Sequence, residues 1–464
     1  MVECDEGERA YSLDIDSVSA EIISCMEQNE IVQLVVYKTL NLNGKTVLPG
    51  SKSQSIRGML FALLAKGKSI LLNVVDSDDT QTAMRICREL GAKIIFQDST
   101  LLLTSNGLPF TQATHEIHTG NSGITTRFLL PLLGLRKNYM NPILVTCNEQ
   151  MQVRPIKSLI DALNTLGMFI QYAEKEDQFP LLVSGQLKGG EVEIDGTTSQ
   201  YLSALLISLP CAQKDSVVTV KNLHERPYVE MTLTWLSQQG IQYEHKQKKG
   251  IDIFYIRGKQ CYKSFQAIIT GDFSSASCLL AAASLFPGTV ELHGLDMKDT
   301  QGDKQLISLL KKMGANIAIE QGIIKIKGEQ ILRGISIDAN SIPDLLPALA
   351  VIATQALGKT EIFNVKQARI KEADRIRSMS EGLKRMGAKI EEHADGMTIY
   401  QSDLKGTIVK GYGDHRTVMA LTIAGMLAEE ETVITDGEAI TKTYPGFVET
   451  MKSLGAQVDF KYFS

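Results

Sequence analysis

The sequence has few cysteines and no long hydrophobic run, and both shortages exclude classes of protein. Its seven cysteines are an odd number, are widely scattered and include no Cys-x-x-Cys pair, which argues against a disulfide framework and a structural zinc site. No apolar run approaches the roughly 20 residues that span a bilayer, and the N-terminus lacks the basic, apolar and small-residue order of a signal peptide. We therefore expect a soluble protein of the reducing cytoplasm.

Positive charge is not in excess either. The 48 lysines and arginines are outnumbered by 53 aspartates and glutamates, which gives a net charge of -5. This balance argues against a general affinity for nucleic acid or anionic lipid, so any anion must bind at a local site. The 464 residues exceed one typical domain and 44% of them are hydrophobic, so we expect two domains with ample cores.

One short pattern recurs six times along the chain: an amphipathic helix, then a glycine, then a strand-like segment. Its period is roughly 70 to 75 residues, which is regular enough to indicate internal repetition. Each glycine stands where the end of a helix needs a left-handed residue. The glycines are Gly91, Gly167, Gly240, Gly314, Gly387 and Gly455.

A second pattern alternates with the first: a polar, glycine-containing turn that leads directly into a strongly apolar helix. LPGSKSQSIRGMLFALLA, from Leu48, and KGYGDHRTVMALTIAGML, from Lys410, are two of its six copies. Helices that are apolar on nearly every side are buried, and their first backbone N–H groups can hold a phosphate or a carboxylate. The repeated unit is therefore predicted to be strand, buried helix, strand, amphipathic helix, strand.

These patterns predict an α/β fold of two similar globular domains, each built from three repeated units. The buried helices are expected to point their N-termini into the cleft between the domains, where they would form an anion-binding cavity. We predict one lobe from residues 31–50 and 271–464, and the other from residues 51–270. Residues 1–30 are acidic, belong to no repeat and are predicted to be an N-terminal extension.

Charged and polar residues cluster in the turns that precede the buried helices. They include several arginines and lysines but few carboxylates, which is the composition expected for two phosphate groups and one proton-handling group. Examples are Lys52 and Arg57 in PGSKSQSIR, Arg154 in MQVRPI, Glu372 in ARIKEADRIRSM and Lys442 in TKTYPGF.

Six of these blocks, in one order, resemble the 5-enolpyruvylshikimate-3-phosphate synthase (3-phosphoshikimate 1-carboxyvinyltransferase) family of enolpyruvyl transferases. The resemblance runs from about Leu48 to Phe447 through LPGSKSQSIR, GNSGITTR, RPYVEMT, RIKEADRIRSM, GDHRTVMA and KTYP. It implies two domains that close on shikimate 3-phosphate and phosphoenolpyruvate. The enolpyruvyl group would move to the acceptor's 5-hydroxyl with release of phosphate, as in aromatic amino acid biosynthesis. No cofactor, metal, nucleic acid or membrane partner is implied, and we expect a monomer.

The resemblance also implies a role for individual residues. The phosphoenolpyruvate ligands would be Lys52, Asn121, Gly123, Arg154, Gln200, Arg375, Arg416 and Lys442. The shikimate 3-phosphate ligands would be Ser53, Arg57, Thr198, Ser199, Gln200, Tyr228, Asp344, Gln367 and Lys371. Asp344 would take the proton of the attacking hydroxyl, Glu372 would protonate the methylene carbon, and Lys52 would assist the leaving phosphate.

Two departures from the family's pattern keep other interpretations open. Glu225 and Gln367 stand where short polar residues usually contact the acceptor's phosphate. A carboxylate repels a phosphate, so either Glu225 turns away or the acceptor differs. One alternative is the sister family that acts on UDP-N-acetylglucosamine, although Cys147 lies outside that family's cysteine motif. The other alternative is a paralogue that binds a phosphorylated metabolite without turnover.

Overall fold

The computed structural model describes residues 31–111, 114–328 and 330–463. The extension predicted for residues 1–30 lies outside the described residues. Among the residues that are described, no helix is both long and apolar enough to cross a membrane.

The secondary structure alternates strands and helices throughout, in the order that the two sequence patterns predict. Up to residue 118 the elements are β1 Ile31–Tyr37, β2 Gly44–Val47, α1 Lys52–Leu64, β3 Gly67–Leu72, α2 Asp78–Glu89, β4 Lys93–Gln97, β5 Thr100–Ser105 and β6 Glu116–His118. To residue 268 they are α3 Gly123–Leu133, β7 Ile143–Thr146, α4 Glu149–Gln152, α5 Lys157–Thr165, β8 Met168–Tyr172, β9 Leu181–Gly185, β10 Glu191–Asp195, α6 Ser199–Ser208, β11 Ser216–Lys221, α7 Arg226–Gln238, β12 Tyr243–Lys248, β13 Ile251–Ile256 and β14 Gln266–Ile268.

The same alternation continues to the end of the described chain. To residue 363 the elements are α8 Phe273–Leu285, β15 Thr289–His293, α9 Gln305–Met313, β16 Asn316–Glu320, β17 Ile323–Lys327, β18 Ser336–Asp338, α10 Leu346–Gln355 and β19 Lys359–Phe363. The last elements are α11 Arg375–Arg385, β20 Lys389–His393, β21 Gly396–Tyr400, β22 Ile408–Val409, α12 His415–Leu427, β23 Thr432–Ile434, α13 Phe447–Ser453 and β24 Gln457–Phe463.

The strands of the described residues form six four-stranded sheets, one for each repeated unit. In a typical sheet, β6 pairs parallel to β7, whereas β9 pairs antiparallel to both β7 and β8, so the order is β6-β7-β9-β8. The repeated α/β architecture is thus confirmed. The prediction of a single strand after each amphipathic helix is wrong in five units, because the chain there turns back as a hairpin of two strands.

The chain exchanges strands between units where it passes from one half to the other. The early strand β2 pairs with β15, whereas the later strand β14 returns to pair with β3. Strand β1 completes the last sheet between β23 and β24. The expected pairing of the first strand segment with the second half of the chain is therefore confirmed.

Within the described residues, the buried hydrophobic side chains form two clusters. One contains residues between 34 and 48 together with residues 273 to 458, and the other contains residues from 56 to 269. Every residue of α3 is buried, as is nearly every residue of α12, because these helices are apolar on all sides. The domain limits themselves stay a prediction.

The six glycines of the first sequence pattern all have a positive φ, between 68° and 109°. Each follows or ends an amphipathic helix, where a left-handed residue lets the chain leave the helix. The prediction that these glycines terminate helices is confirmed.

Substitution of two of these glycines distinguishes the cost of backbone strain from the cost of close packing. A Cβ on Gly167, at φ 102°, would lie 2.9 Å from the backbone oxygen of Gln186, whereas a Cβ on Gly91, at φ 98°, would meet no atom within 4 Å. Both substitutions to alanine should lower the melting temperature, because positive φ costs about 1 kcal/mol or more for a residue with a side chain. Gly167→Ala should lower it further, and equal shifts measured by circular dichroism would contradict the packing argument.

Candidate active site

The N-terminal ends of the six buried helices meet at one cavity. Each is represented in the cavity wall by a residue at or just before its first turn. These residues are Lys52 at α1, Gly123 at α3, Ser199 at α6, Asp272 before α8, Asp344 before α10 and His415 at α12. The predicted convergence of helix starts is confirmed, and it concentrates the positive ends of six helix dipoles in one place.

Most of the predicted site residues line this cavity. They are Lys52, Ser53, Arg57, Gly123, Arg154, Ser199, Gln200, Tyr228, Asp344, Lys371, Glu372, Arg375 and Arg416. Four others lie beside it. Asn121 and Lys442 line a neighbouring pocket, and Thr198 and Gln367 line a smaller one that shares Arg154, Gln200 and Lys371 with the cavity.

Arg375 is the centre of an ion-pair network under the cavity floor. Its guanidinium is 1% exposed and donates to three carboxylates: Asp344 at 2.7 Å, Glu372 at 2.7 Å and Asp414 at 2.8 Å. Asp414 also caps α12 by accepting from the backbone N–H groups of Arg416 and Thr417. Arg375 therefore fixes both predicted proton-transfer carboxylates relative to a helix start.

The surrounding cations keep both of these carboxyl groups ionised. Burial alone would raise the pKa of Asp344, but the charges of Arg416, Lys371 and Arg375 hold it below its ordinary value. Burial likewise opposes ionisation of Glu372, whereas Arg154, Arg375 and Lys442 hold its pKa well below the usual range. In this arrangement both groups are proton acceptors.

The other cations of the site also lie close to carboxylates of the protein. Arg154 Nη1 lies 3.4 Å from Glu372 Oε1, and Lys442 Nζ lies 4.0 Å from that oxygen. Arg416 Nη2 lies 3.1 Å from Asp344 Oδ2, and Lys52 Nζ lies 2.8 Å from Asp79 Oδ2. Burial lowers the pKa of Lys442. Several of the cations predicted to bind phosphoenolpyruvate are thus paired with carboxylates of the protein itself.

Gly123 lets an arginine approach the start of α3. A Cβ at this position would lie 2.4 Å from Arg154 Nη1 and 3.1 Å from Arg127 Nη1. Arg154 Nη1 would have to move if any other residue type stood here, whereas Arg127 Nη1 would be in tight contact. The glycine is therefore required by the position of the Arg154 guanidinium, and not by its own backbone conformation.

Among the residues that the structure describes, the buried guanidinium of Arg57 donates hydrogen bonds to neutral partners only. It donates to Thr232 Oγ1 at 2.9 Å and to the carbonyl oxygens of Ser53 and Tyr228 at 3.1 and 3.0 Å. Burial lowers its pKa to about 10. The hydroxyl of Tyr228 donates to Asp344 Oδ2 at 2.9 Å and lies 3.3 Å from Asp303 Oδ2.

Glu225 does not turn away from the cavity, so that part of the earlier alternative is wrong. Its side chain is buried, its Oε2 accepts from the backbone N–H of Ser199 at 3.1 Å and from the hydroxyl of Ser199 at 2.8 Å. Its other oxygen forms an ion pair with Lys371 Nζ. Glu225, which departs from the family's pattern, is therefore part of the cavity wall.

Sequence reasoning missed three other groups at or near the cavity: Asp79, Asp272 and Asp303. Asp79 and Asp272 stand in polar helix-start turns, SDDT and GDFSS, so the pattern that found Lys52 could have found them. Burial, followed by the charge of Asp344, raises the pKa of Asp303 to about 7. Burial and Arg416 hold the pKa of His415 well below its ordinary value, so its ring is neutral.

Comparison with known proteins shows similarity over most of the chain. The family description EPSP synthase (3-phosphoshikimate 1-carboxyvinyltransferase) matches residues 36–451. The 3-phosphoshikimate 1-carboxyvinyltransferase of Acetivibrio thermocellus is 44% identical over 416 residues, which is 90% of this chain and 97% of that protein. The protein of the same name from Methanocaldococcus jannaschii is 38% identical, over 92% of this chain and 99% of that one.

A solved structure, the EPSP synthase from Acinetobacter baumannii, supports the fold. It superposes with a TM-score of 0.78 over 93% of this chain and all of that chain, at 24% identity. The family match and the alignments with the two curated relatives each cover most of the chain. The chain belongs to the EPSP synthase (3-phosphoshikimate 1-carboxyvinyltransferase) family.

Proposed function

We propose that the protein transfers the enolpyruvyl group of phosphoenolpyruvate to the 5-hydroxyl of shikimate 3-phosphate and releases phosphate. The names of its relatives support this activity. The single structural observation that carries it is the placement of two partly buried carboxylates, Asp344 and Glu372, on one buried arginine, Arg375, among converging helix starts. Such a site offers two proton-handling groups within a strongly cationic wall.

The donor site would use the cations of both halves of the chain. Phosphoenolpyruvate carries a carboxylate and a phosphate, and a guanidinium fork suits each of them. We assign these groups to Lys52, Arg154, Arg416 and Lys442, with Asn121, Gly123, Gln200 and Arg375 beside them. Binding would exchange protein carboxylates for substrate anions as partners of the same cations.

This exchange gives Glu372 the protonation state that its role requires. A carboxyl group whose pKa lies well below the solution pH is a poor proton donor. When the substrate's anionic groups compensate the charges of Arg154 and Lys442, the pKa of Glu372 rises, because those charges are what lower it. Substrate binding would thus convert Glu372 from a proton acceptor into a general acid.

The reaction would then proceed by addition and elimination. Asp344 would accept the proton of the 5-hydroxyl while the hydroxyl oxygen bonds to C2 of phosphoenolpyruvate and Glu372 protonates C3, giving a tetrahedral intermediate. The Glu372 carboxylate would then take a proton from the new methyl group, which restores the C2–C3 double bond as the bond from C2 to the phosphate oxygen breaks, and Lys52 would assist the leaving phosphate. Ser53, Arg57, Thr198, Ser199, Gln200, Tyr228, Gln367 and Lys371 would hold the acceptor.

The alternative acceptor UDP-N-acetylglucosamine is not favoured. The relatives carry the shikimate name, and Cys147 does not line the described cavity wall. The thiol of Cys147 is buried, and burial raises its pKa to about 12, which leaves it unreactive.

An assay of phosphate release with each acceptor separates the alternatives. Phosphate release from phosphoenolpyruvate with shikimate 3-phosphate, but not with UDP-N-acetylglucosamine, is the expected result. Release with neither acceptor would favour the non-catalytic paralogue.

We further propose a cytoplasmic monomer that needs no cofactor, with lobes of residues 31–50 plus 271–464 and 51–270. Contacts such as Arg154 with Glu372 and Tyr228 with Asp344 join the two lobes across the cavity. Because these contacts close the cavity, the lobes must separate for substrates to enter.

Small-angle scattering tests this motion. Addition of shikimate 3-phosphate should reduce the radius of gyration, since the carboxylate and the phosphate of this ligand, held between the lobes, draw together cations from both. Gel-filtration with light scattering on the same samples should give the mass of one chain. A radius that is unchanged at saturating ligand would contradict closure.

Substitution of the proton-handling residues tests the chemistry. Lys52→Ala and Glu372→Gln should each lower kcat by about 100-fold or more, since both groups act in the transition state. Lys68→Ala, which removes an exposed lysine of β3, is the matched control and should leave turnover unchanged. Near-normal phosphate release by both site variants would show that the roles are misassigned.

Gly123→Ala tests the donor site separately. The added Cβ must displace the Arg154 guanidinium, so the KM for phosphoenolpyruvate should rise by about tenfold while the KM for shikimate 3-phosphate stays the same. Gly91→Ala, far from the cavity, controls for general effects of the added methyl group. An unchanged KM for phosphoenolpyruvate would remove Arg154 from the donor site.

A further inference from the structure

The start of α6 and Lys371 form an anion-binding cradle that is filled by a side chain of the protein itself. One oxygen of the Glu225 carboxylate accepts hydrogen bonds from the backbone N–H and the hydroxyl of Ser199. The other oxygen forms an ion pair with Lys371 Nζ. Glu225 is 1% exposed and Ser199 is 2% exposed, so these contacts are screened from water. Each donor is one that an acceptor's phosphate would use.

The surroundings of Glu225 favour an anion at this position. Glu225 borders both the main cavity and the smaller pocket that Arg127, Arg154 and Gln367 also line. The same pocket is lined by Lys371, so three cationic side chains surround the Glu225 carboxylate there. A site with this excess of positive charge favours an anion.

Two anions cannot share one set of donors. A phosphate placed beside the Glu225 carboxylate would meet like charge in a buried site, where repulsion is strong. A phosphate placed on Ser199 and Lys371 must first displace that carboxylate. Either event reduces the affinity for any phosphorylated ligand that binds here.

We propose that Glu225 is a resident anion of the acceptor site, which a phosphorylated acceptor displaces and which thereby lowers the affinity of the site for every ligand that carries a phosphate. The proposal rests on the proposed function and deepens it. The carboxylate keeps Lys371 paired and the cradle preorganised between turnovers. It also excludes free inorganic phosphate, a product of the reaction, because that ion has no ring contacts to offset displacement of Glu225.

Calorimetric titration of Glu225→Gln and Glu225→Ser tests the idea. Both variants should bind shikimate 3-phosphate and inorganic phosphate about tenfold tighter or more than the unsubstituted protein, since a buried like charge is removed. Binding of shikimate, which lacks the phosphate, should not change. Glu230→Gln removes an exposed carboxylate from the same helix, α7, and should behave as the unsubstituted protein.

Each outcome decides the proposal. Unchanged or weaker binding of both phosphorylated ligands by the folded variants would overturn it. If neither variant folds, a structure of the unsubstituted protein with shikimate 3-phosphate decides: Ser199 and Lys371 should contact the phosphate, and continued contact of both with Glu225 would refute displacement. If the unsubstituted protein releases no phosphate from phosphoenolpyruvate and shikimate 3-phosphate, the proposed function fails, while the comparison with inorganic phosphate still tests Glu225.

Discussion

The pairing of Arg375 with three buried carboxylates is the interaction on which the site depends. Asp344, Glu372 and Asp414 would each be costly to bury alone, and the guanidinium satisfies all three with well-formed hydrogen bonds. Because Asp414 also caps α12, the network ties the carboxylates to a helix that is buried along nearly its whole length. Asp344 keeps Arg416, and Glu372 keeps Arg154, without Arg375, but only Arg375 joins both groups to Asp414, so their relative positions follow from this residue.

Charge exchange is common to the proposed donor and acceptor sides. On the proposed donor side Arg154 and Lys442 face Glu372, and on the proposed acceptor side Lys371 faces Glu225. In both places a protein carboxylate balances a cation that a substrate anion would otherwise balance. The positive ends of the converging helices explain why so much negative charge is tolerated there.

The sequence was most informative where a local rule fixes the structure. The glycine that ends each amphipathic helix and the polar turn that begins each buried helix depend only on neighbouring residues, and both were predicted correctly. The returning strand of each hairpin was missed, although Lys249 and Gly250 have the positive φ of a two-residue hairpin turn. A closer analysis of such turns could have found it.

Other parts of the site depend on contacts between distant segments. Asp303 lies next to Asp344 only because the chain passes between them through α9 and three strands, and no motif in its neighbourhood indicates chemistry. The sequence identified Glu225 as unusual but could not give its direction, which is set by Ser199 at the start of α6 and by Lys371 in the segment before α11.

The contacts that close the cavity are also the contacts that the substrates would replace. Arg154 with Glu372 and Lys371 with Glu225 each join a residue of 51–270 to a residue of 271–464. An anionic ligand that takes over one of these cations releases a bond between the halves, and it restores the link only if it contacts both. A ligand with a single anionic group would therefore favour separation, whereas a substrate pair that contacts both halves at several points would hold them together. The same ion pairs thus link recognition of the complete substrate set to closure of the site.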